Sequence, residues 1–96
     1  MEWRLFANLA EAAGSKRVDV DAGAGDTLGD AFERLLRDHP DLESIVLDDD
    51  GELEEHIRLL HNERDPLADG DGFDTVLEAG DELALFPPVS GGRSVR

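Results

Sequence analysis

The stretch with the clearest chemical design is Phe86-Pro87-Pro88-Val89-Ser90-Gly91-Gly92, near the end of the chain. Pro87 and Pro88 have no N–H to donate and hold φ at about −65°, so a sheet ladder stops there and the exit is extended and stiff. Gly91 and Gly92 have no Cβ, so the backbone there fits a channel too narrow for larger residues. A stiff stem ending in a slim tip suits insertion into another protein. Composition alone favours the alternative, a frayed Gly- and Ser-containing end that does nothing.

The remaining candidates for chemistry are weaker. The chain has no cysteine, which excludes disulfides, thiolate catalysis and Cys-ligated zinc. His39, His56 and His61 lack metal-ligand spacing. Ser15, Ser44, Ser90 and Ser94 lie near turns or at the chain end, without a nucleophile motif. Asp48-Asp49-Asp50-Gly51 invites a calcium reading. With Gly51 at the loop's sixth position, Val46 and Ile57 fall where the first and last ligands belong. With Gly72 there instead, Leu67 takes the first position, although Glu78 takes the last. Both loops read better as solvated acidic segments. The glycine-containing loop Ala22 to Asp26 has no lysine and no third glycine for a phosphate cradle, and Asp26 would repel an anion.

Three segments together carry a family resemblance: Ala84 to Gly92, Glu2 to Leu9, and His56 to Asn62. Over Met1 to Gly92 the chain resembles the small subunit of molybdopterin synthase, and still more the archaeal ubiquitin-like small modifier proteins. The resemblance implies a β-grasp fold, with the first and last strands parallel at the sheet centre and the tail leaving from the sheet's edge. It implies a carrier or modifier rather than an enzyme, with no bound cofactor. Gly92 would be the acyl carrier, Gly91 its slim neighbour, and Pro87, Pro88, Val89 and Ser90 the spacer. Phe6, Leu60 and Phe86 would form the docking face.

A carboxylate has no good leaving group. In this family a ubiquitin-activating-type adenylating enzyme uses ATP to convert it to an acyl-adenylate. Sulfur transfer then gives a thiocarboxylate, which serves tRNA thiolation or, with the molybdopterin synthase large subunit, molybdopterin synthesis. Alternatively, a lysine of a target protein forms an isopeptide bond. This chain departs from the pattern at Arg93-Ser94-Val95-Arg96, since family members end at the second glycine. The extension is either a precursor tail for a processing protease, a cloning remnant, or the mark of a copy that is never activated. The last case leaves a β-grasp binding module acting only through its surface. The expected organisation is a domain over 1–88, a tail over 89–92 and an extension over 93–96.

The elements that must position this tail follow from periodicity. Alternation over Glu2 to Leu9 predicts a strand with Trp3, Leu5 and Ala7 on one face and Arg4, Phe6 and Asn8 on the other. Phe6 is out of place among its polar neighbours, so it is covered by a loop or belongs to an exposed contact patch. Ala10 to Ser15 connects to a second strand, Lys16 to Asp21, with Val18 and Val20 on one face, giving an N-terminal hairpin. Thr27-Leu28-Gly29-Asp30 resembles a capping box, and Leu28, Ala31, Phe32, Leu35 and Leu36 form a helical stripe up to Asp38. His39-Pro40 ends that helix.

A short helical turn over Asp41 to Val46 returns Leu42, Ile45 and Val46 to the core, and Leu47 to Glu55 is an acidic loop. His56 to His61 is strand-like, with Ile57 and Leu59 opposite Arg58 and Leu60. Asn62-Glu63 stands where the family usually has Asn-Gly, so a longer turn is expected, with Pro66 to Phe73 as an extended loop. Thr75 to Leu77 brings the chain back, Glu78 to Asp81 is a turn, and Glu82 to Phe86 is the last strand, with Leu83 and Leu85 inward. The order predicts an α+β fold, a mixed four- to five-stranded sheet with one main helix packed on it. Trp3, Leu5, Val18, Val20, Phe32, Leu35, Leu36, Leu59, Leu83 and Leu85 are its expected core.

The 96 residues suffice for one domain with a modest core, and 40% of them are hydrophobic. No run has the length of a membrane span and the N-terminus shows no signal pattern, so a cytoplasmic protein without membrane contact is expected. The net charge of −15 argues against a nucleic-acid partner. The acids are spread over the whole chain and Lys16 is the only lysine, which fits adaptation to a very salty cytoplasm, a halophilic pattern. At molar salt the Debye length is about 3 Å and self-repulsion is largely screened. The melting temperature should therefore rise from dilute buffer to molar KCl. An equal or higher value in dilute buffer would contradict the salt reading.

Overall fold

A computed structural model describes residues 1–54 and 56–87. Pro88, Val89, Ser90, Gly91, Gly92 and the extension 93–96 lie outside the described residues, as does Glu55. The chain forms β1 (Glu2–Leu5), α1 (Asn8–Ala13), β2 (Arg17–Asp19), α2 (Leu28–Asp38), a 3-10 turn (Pro40–Leu42) and α3 (Glu43–Val46). Then come β3 (Arg58–His61), α4 (Pro66–Asp69), a second 3-10 turn (Gly72–Asp74) and β4 (Glu82–Phe86). The four strands make one mixed sheet in the order β2-β1-β4-β3, within the expected range and with α2 as the one long helix.

β1 and β4 run parallel at the centre, with Trp3 opposite Leu83 and Leu5 opposite Leu85. β2 flanks β1 and β3 flanks β4, both antiparallel. All ten residues of the expected core are buried, as are Leu42 and Val46, while Ile45 is only partly buried against them; Leu9, Leu28, Ala31, Ile57 and Leu77 complete the core. The α2 stripe lies against this inner sheet face, and the Trp3 indole N–H donates to the Ala31 carbonyl at 3.2 Å. Thr27 caps α2 as expected: its Oγ1 accepts from the Asp30 N–H, and the Asp30 carboxylate accepts from the Thr27 N–H at 3.0 Å. These bonds hold the Asp30 carboxyl below its ordinary value.

The N-terminal region differs from the alternation reading. The strand predicted over Glu2 to Leu9 ends at Leu5, and the one over Lys16 to Asp21 shortens to Arg17–Asp19. Ala7 turns the chain at φ 53°, and Asn8–Ala13 then forms a helix that inserts Leu9 into the core. Ala, Leu and Glu are strong helix formers, which outweighs the alternation. Gly14 stops the helix at φ 84°. The antiparallel pair β1–β2 is therefore joined through a helix rather than a tight turn. In the loop before α2, Asp26 turns its carboxylate onto the Gly23 N–H at 3.0 Å. Asp48 likewise accepts from the N–H groups of Asp50 and Glu52 within its own acidic loop.

The turn after β3 corrects a second expectation. Asn62 and Glu63 both take positive φ, at 52° and 68°, and His61 and Arg64 exchange hydrogen bonds of 2.7 and 3.0 Å. This is the two-residue turn that Asn-Gly would make, kept without the glycine. Pro66 to Phe73 is not extended either. Asp65 caps α4 by accepting from the Leu67 and Ala68 N–H groups, Pro66 opens it, and the second 3-10 turn follows.

A polar clasp holds the strained turn in place. The Asn62 Nδ2 donates to Asp81 Oδ1 at 3.0 Å, and its Oδ1 accepts from the Glu82 N–H at 2.8 Å. His61 Nε2 lies 2.8 Å from Asp81 Oδ2, which also accepts from the Glu78 N–H. An ionised carboxylate only accepts, so Nε2 carries the hydrogen in this contact. The His61 bond is the largest influence holding Asp81 down at about 2, followed by those from Asn62 and Glu78.

Two measurements check this turn and clasp. An L residue in the left-handed region costs about 1–2 kcal/mol, and glycine costs about 0.5–1 kcal/mol in chain entropy. Glu63→Gly should thus raise unfolding stability by about 0.5–1 kcal/mol in denaturant titration. Glu63→Ala, which removes the charge but keeps the Cβ, should gain less. Asp81 has a folded pKa below its ordinary 3.8, so its contribution is complete above that value and lost as pH falls through about 2. Asp81→Asn should melt below the wild type at pH 6, with the deficit closing between about pH 4 and pH 2. A deficit that stays constant over that range would contradict the clasp.

Candidate docking face

The parallel register that buries Leu5 beside Leu85 sets the next residue of each strand side by side on the outer face. Phe6 and Phe86 stack there, with ring centroids 4.2 Å apart and planes 11° from parallel. Phe6 is 36% exposed, which settles its sequence ambiguity in favour of the exposed patch, and Phe86 is half-buried. Leu60, also half-buried, lies opposite Ala84 on β3, one row along. The three residues expected to share a face therefore do share one, brought together from three strands. Pro87 is half-buried and follows β4 directly, so the chain leaves the sheet beside the Phe86 ring.

Sequence reasoning named the apolar residues of this face and missed the cations around them. Arg4 is paired with Arg17 on one side and Ala84 on the other, and Arg58 is paired with Phe86. Lys16, whose carbonyl accepts from the Leu5 N–H at 2.8 Å, stands one position beyond this register and lines the same cleft as Arg4 and Arg17. Each of these was legible singly as a polar neighbour of a buried residue. Their convergence needs the strand order, which periodicity does not carry. The outer face thus brings two stacked rings and three arginines together from four strands.

Among the described residues, no group of His, Asp or Glu is arranged to hold a metal ion. None of their helices is long and apolar enough to cross a membrane.

Comparison with known proteins agrees with this geometry. The model of the ThiS family matches residues 3–92. Small archaeal modifier protein 1 of Haloferax volcanii is 53% identical over 92 residues, covering 96% of this chain and 100% of that protein. The crystal structure of SAMP1 from Haloferax volcanii superposes with a TM-score of 0.84 at 53% identity, covering 96% of this chain and 98% of that one. The solution structure of SAMP1 from Methanosarcina acetivorans gives 0.77 at 32% identity, covering 95% and 94%. Sequence, parallel central strands and outer face together make this chain a member of the ThiS family, the ubiquitin-like β-grasp proteins that include small modifiers and sulfur carriers.

Proposed function

We propose that the chain is a modifier or sulfur carrier whose reactive group is the carboxylate of Gly92, freed by removal of residues 93–96. One observation carries the reading: the stacked Phe6–Phe86 pair lies where β4 ends, so one strand joins the contact face to the tail. The family match, which ends at residue 92, supports the same reading.

The chemistry divides between two proteins. This chain supplies a carboxylate on a slim tail and a face that docks. An activating enzyme supplies ATP: a carboxylate oxygen attacks the α-phosphorus and pyrophosphate leaves, giving an acyl-adenylate. Hydrosulfide then displaces AMP to give a thiocarboxylate, or a target lysine amine displaces AMP and takes the acyl group in an isopeptide bond. The chain needs no cofactor of its own for these steps. In this reading Pro87, Pro88, Val89 and Ser90 serve as the spacer, and Gly91 and Gly92, having no Cβ, are the slim tip that an enzyme channel admits.

Adenylation requires a free carboxylate, and in Met1–Arg96 that carbon is bonded to Arg93. ATP–pyrophosphate exchange with a cognate activating enzyme should be absent for the full chain and present for a form ending at Gly92. Gly92→Ala in the shortened form should lose much of the exchange, because a Cβ intrudes where the channel is narrowest. Equal exchange for the long and short forms, with no tail cleavage by mass spectrometry, would remove the carboxylate from the mechanism. A binding module acting only through its surface would then be left.

A further inference from the structure

Charge is distributed against the overall balance on the outer sheet face. The chain carries −15, yet Arg4, Arg17 and Arg58 gather on this face at the end of the sheet where β1 and β4 finish, and Lys16 lines the cleft beside them. The acids of the same face, Glu2, Asp19 and Glu82, occupy the opposite end of the strands. A cleft of about 520 Å³ opens beside Phe6, lined by Arg4, Lys16 and Arg17, with Glu11 as its single acid. None of these four cations makes an ion pair among the described residues. By contrast, Arg34 on α2 is engaged, donating to the Asp21 carbonyl and lying 4.0 Å from its carboxylate.

We infer that these cations form a charge-selective rim around the Phe6–Phe86 pair, and that the partner docked there presents an acidic surface around the mouth of its tail channel. The inference rests on the proposed activation of the tail and names the chemistry of the protein that performs it. A protein of this net charge offers most acidic partners a like-charged surface, and the cation-bearing end of this face is an exception. Concentrating guanidinium groups that are unpaired among the described residues beside the tail root makes the productive orientation the attractive one. Carboxylates on the partner can pair bidentately with Arg4, Arg17 and Arg58 while its apolar groups cover the rings. Lys16, on the cleft wall, adds a point charge. At high salt the Debye length shrinks to about 3 Å, so the rim acts by direct pairing rather than long-range steering.

The test uses the form ending at Gly92. In pyrophosphate exchange, Arg4→Glu combined with Arg17→Glu should raise the KM for the carrier about tenfold with kcat unchanged, since the tail is intact. Arg37→Glu, on the exposed side of α2, should change little. Circular-dichroism melts establish that both variants fold. In parallel, a short Glu-rich peptide bearing one leucine is titrated into the labelled protein. Amide shifts should centre on Arg4, Phe6, Arg17 and Arg58, and a Lys-rich counterpart should leave them in place. Equal KM values for the double variant and Arg37→Glu would overturn the inference, as would peptide shifts elsewhere. Self-association of the carrier through this face would overturn it too. If the unmutated short form supports no exchange, the activation reading fails, and the peptide titration still decides whether the face selects acidic ligands.

Discussion

The register between β1 and β4 is the constraint on which the rest depends. These strands come from opposite ends of the chain and run parallel, so every residue between them must be routed around the sheet. The crossover passes through α2, whose stripe covers the inner face that the strand pair creates. Side chains alternate along a strand, so a slip of one residue would move Leu83 and Leu85 to the outside. The same slip would separate Phe6 from Phe86. Core and contact face are thus two readouts of one pairing.

The β3–β4 pair depends on a different device. β3 and β4 are separated in sequence by α4 and a 3-10 turn, yet pair over four positions. Asp81 and Asn62 fasten the end of this pair farthest from Phe86, through bonds to His61, Glu78 and Glu82. That clasp accommodates Glu63 at a positive φ that glycine would adopt freely. The polar cluster at one end and the aromatic stack at the other fix the position of Leu60 between them.

How much of this was legible in the sequence depends on how local each determinant is. The helix α2 was read correctly because its stripe and capping box lie within a dozen residues. The inward faces of the strands were read from simple alternation. The parallel centre came from family resemblance, since no periodicity encodes strand order. α1 was missed because its stripe, Leu9 with Ala12 and Ala13, spans little more than one turn and continues an alternating strand pattern. Ala7, as a non-glycine residue at positive φ, gives no sign of the turn it makes. The tight turn at Asn62-Glu63 was missed because its support comes from Asp81, far along the chain. Alternation placed Phe6, Leu60 and Phe86 on the outward sides of their strands, and their shared face emerged only with the register. The ring of cations was invisible until the strands were placed in order.

These features describe a rigid sheet face joined by one strand to a tail whose last residue carries the proposed chemistry. The most direct measurement of that claim is the intact mass of the protein purified from its native host. The account predicts a chain ending at Gly92, with a fraction in which one carboxylate oxygen is replaced by sulfur or in which Gly92 is joined to a lysine of another protein. A population made up wholly of chains still ending at Arg96, in cells that contain the activating enzyme, would contradict it.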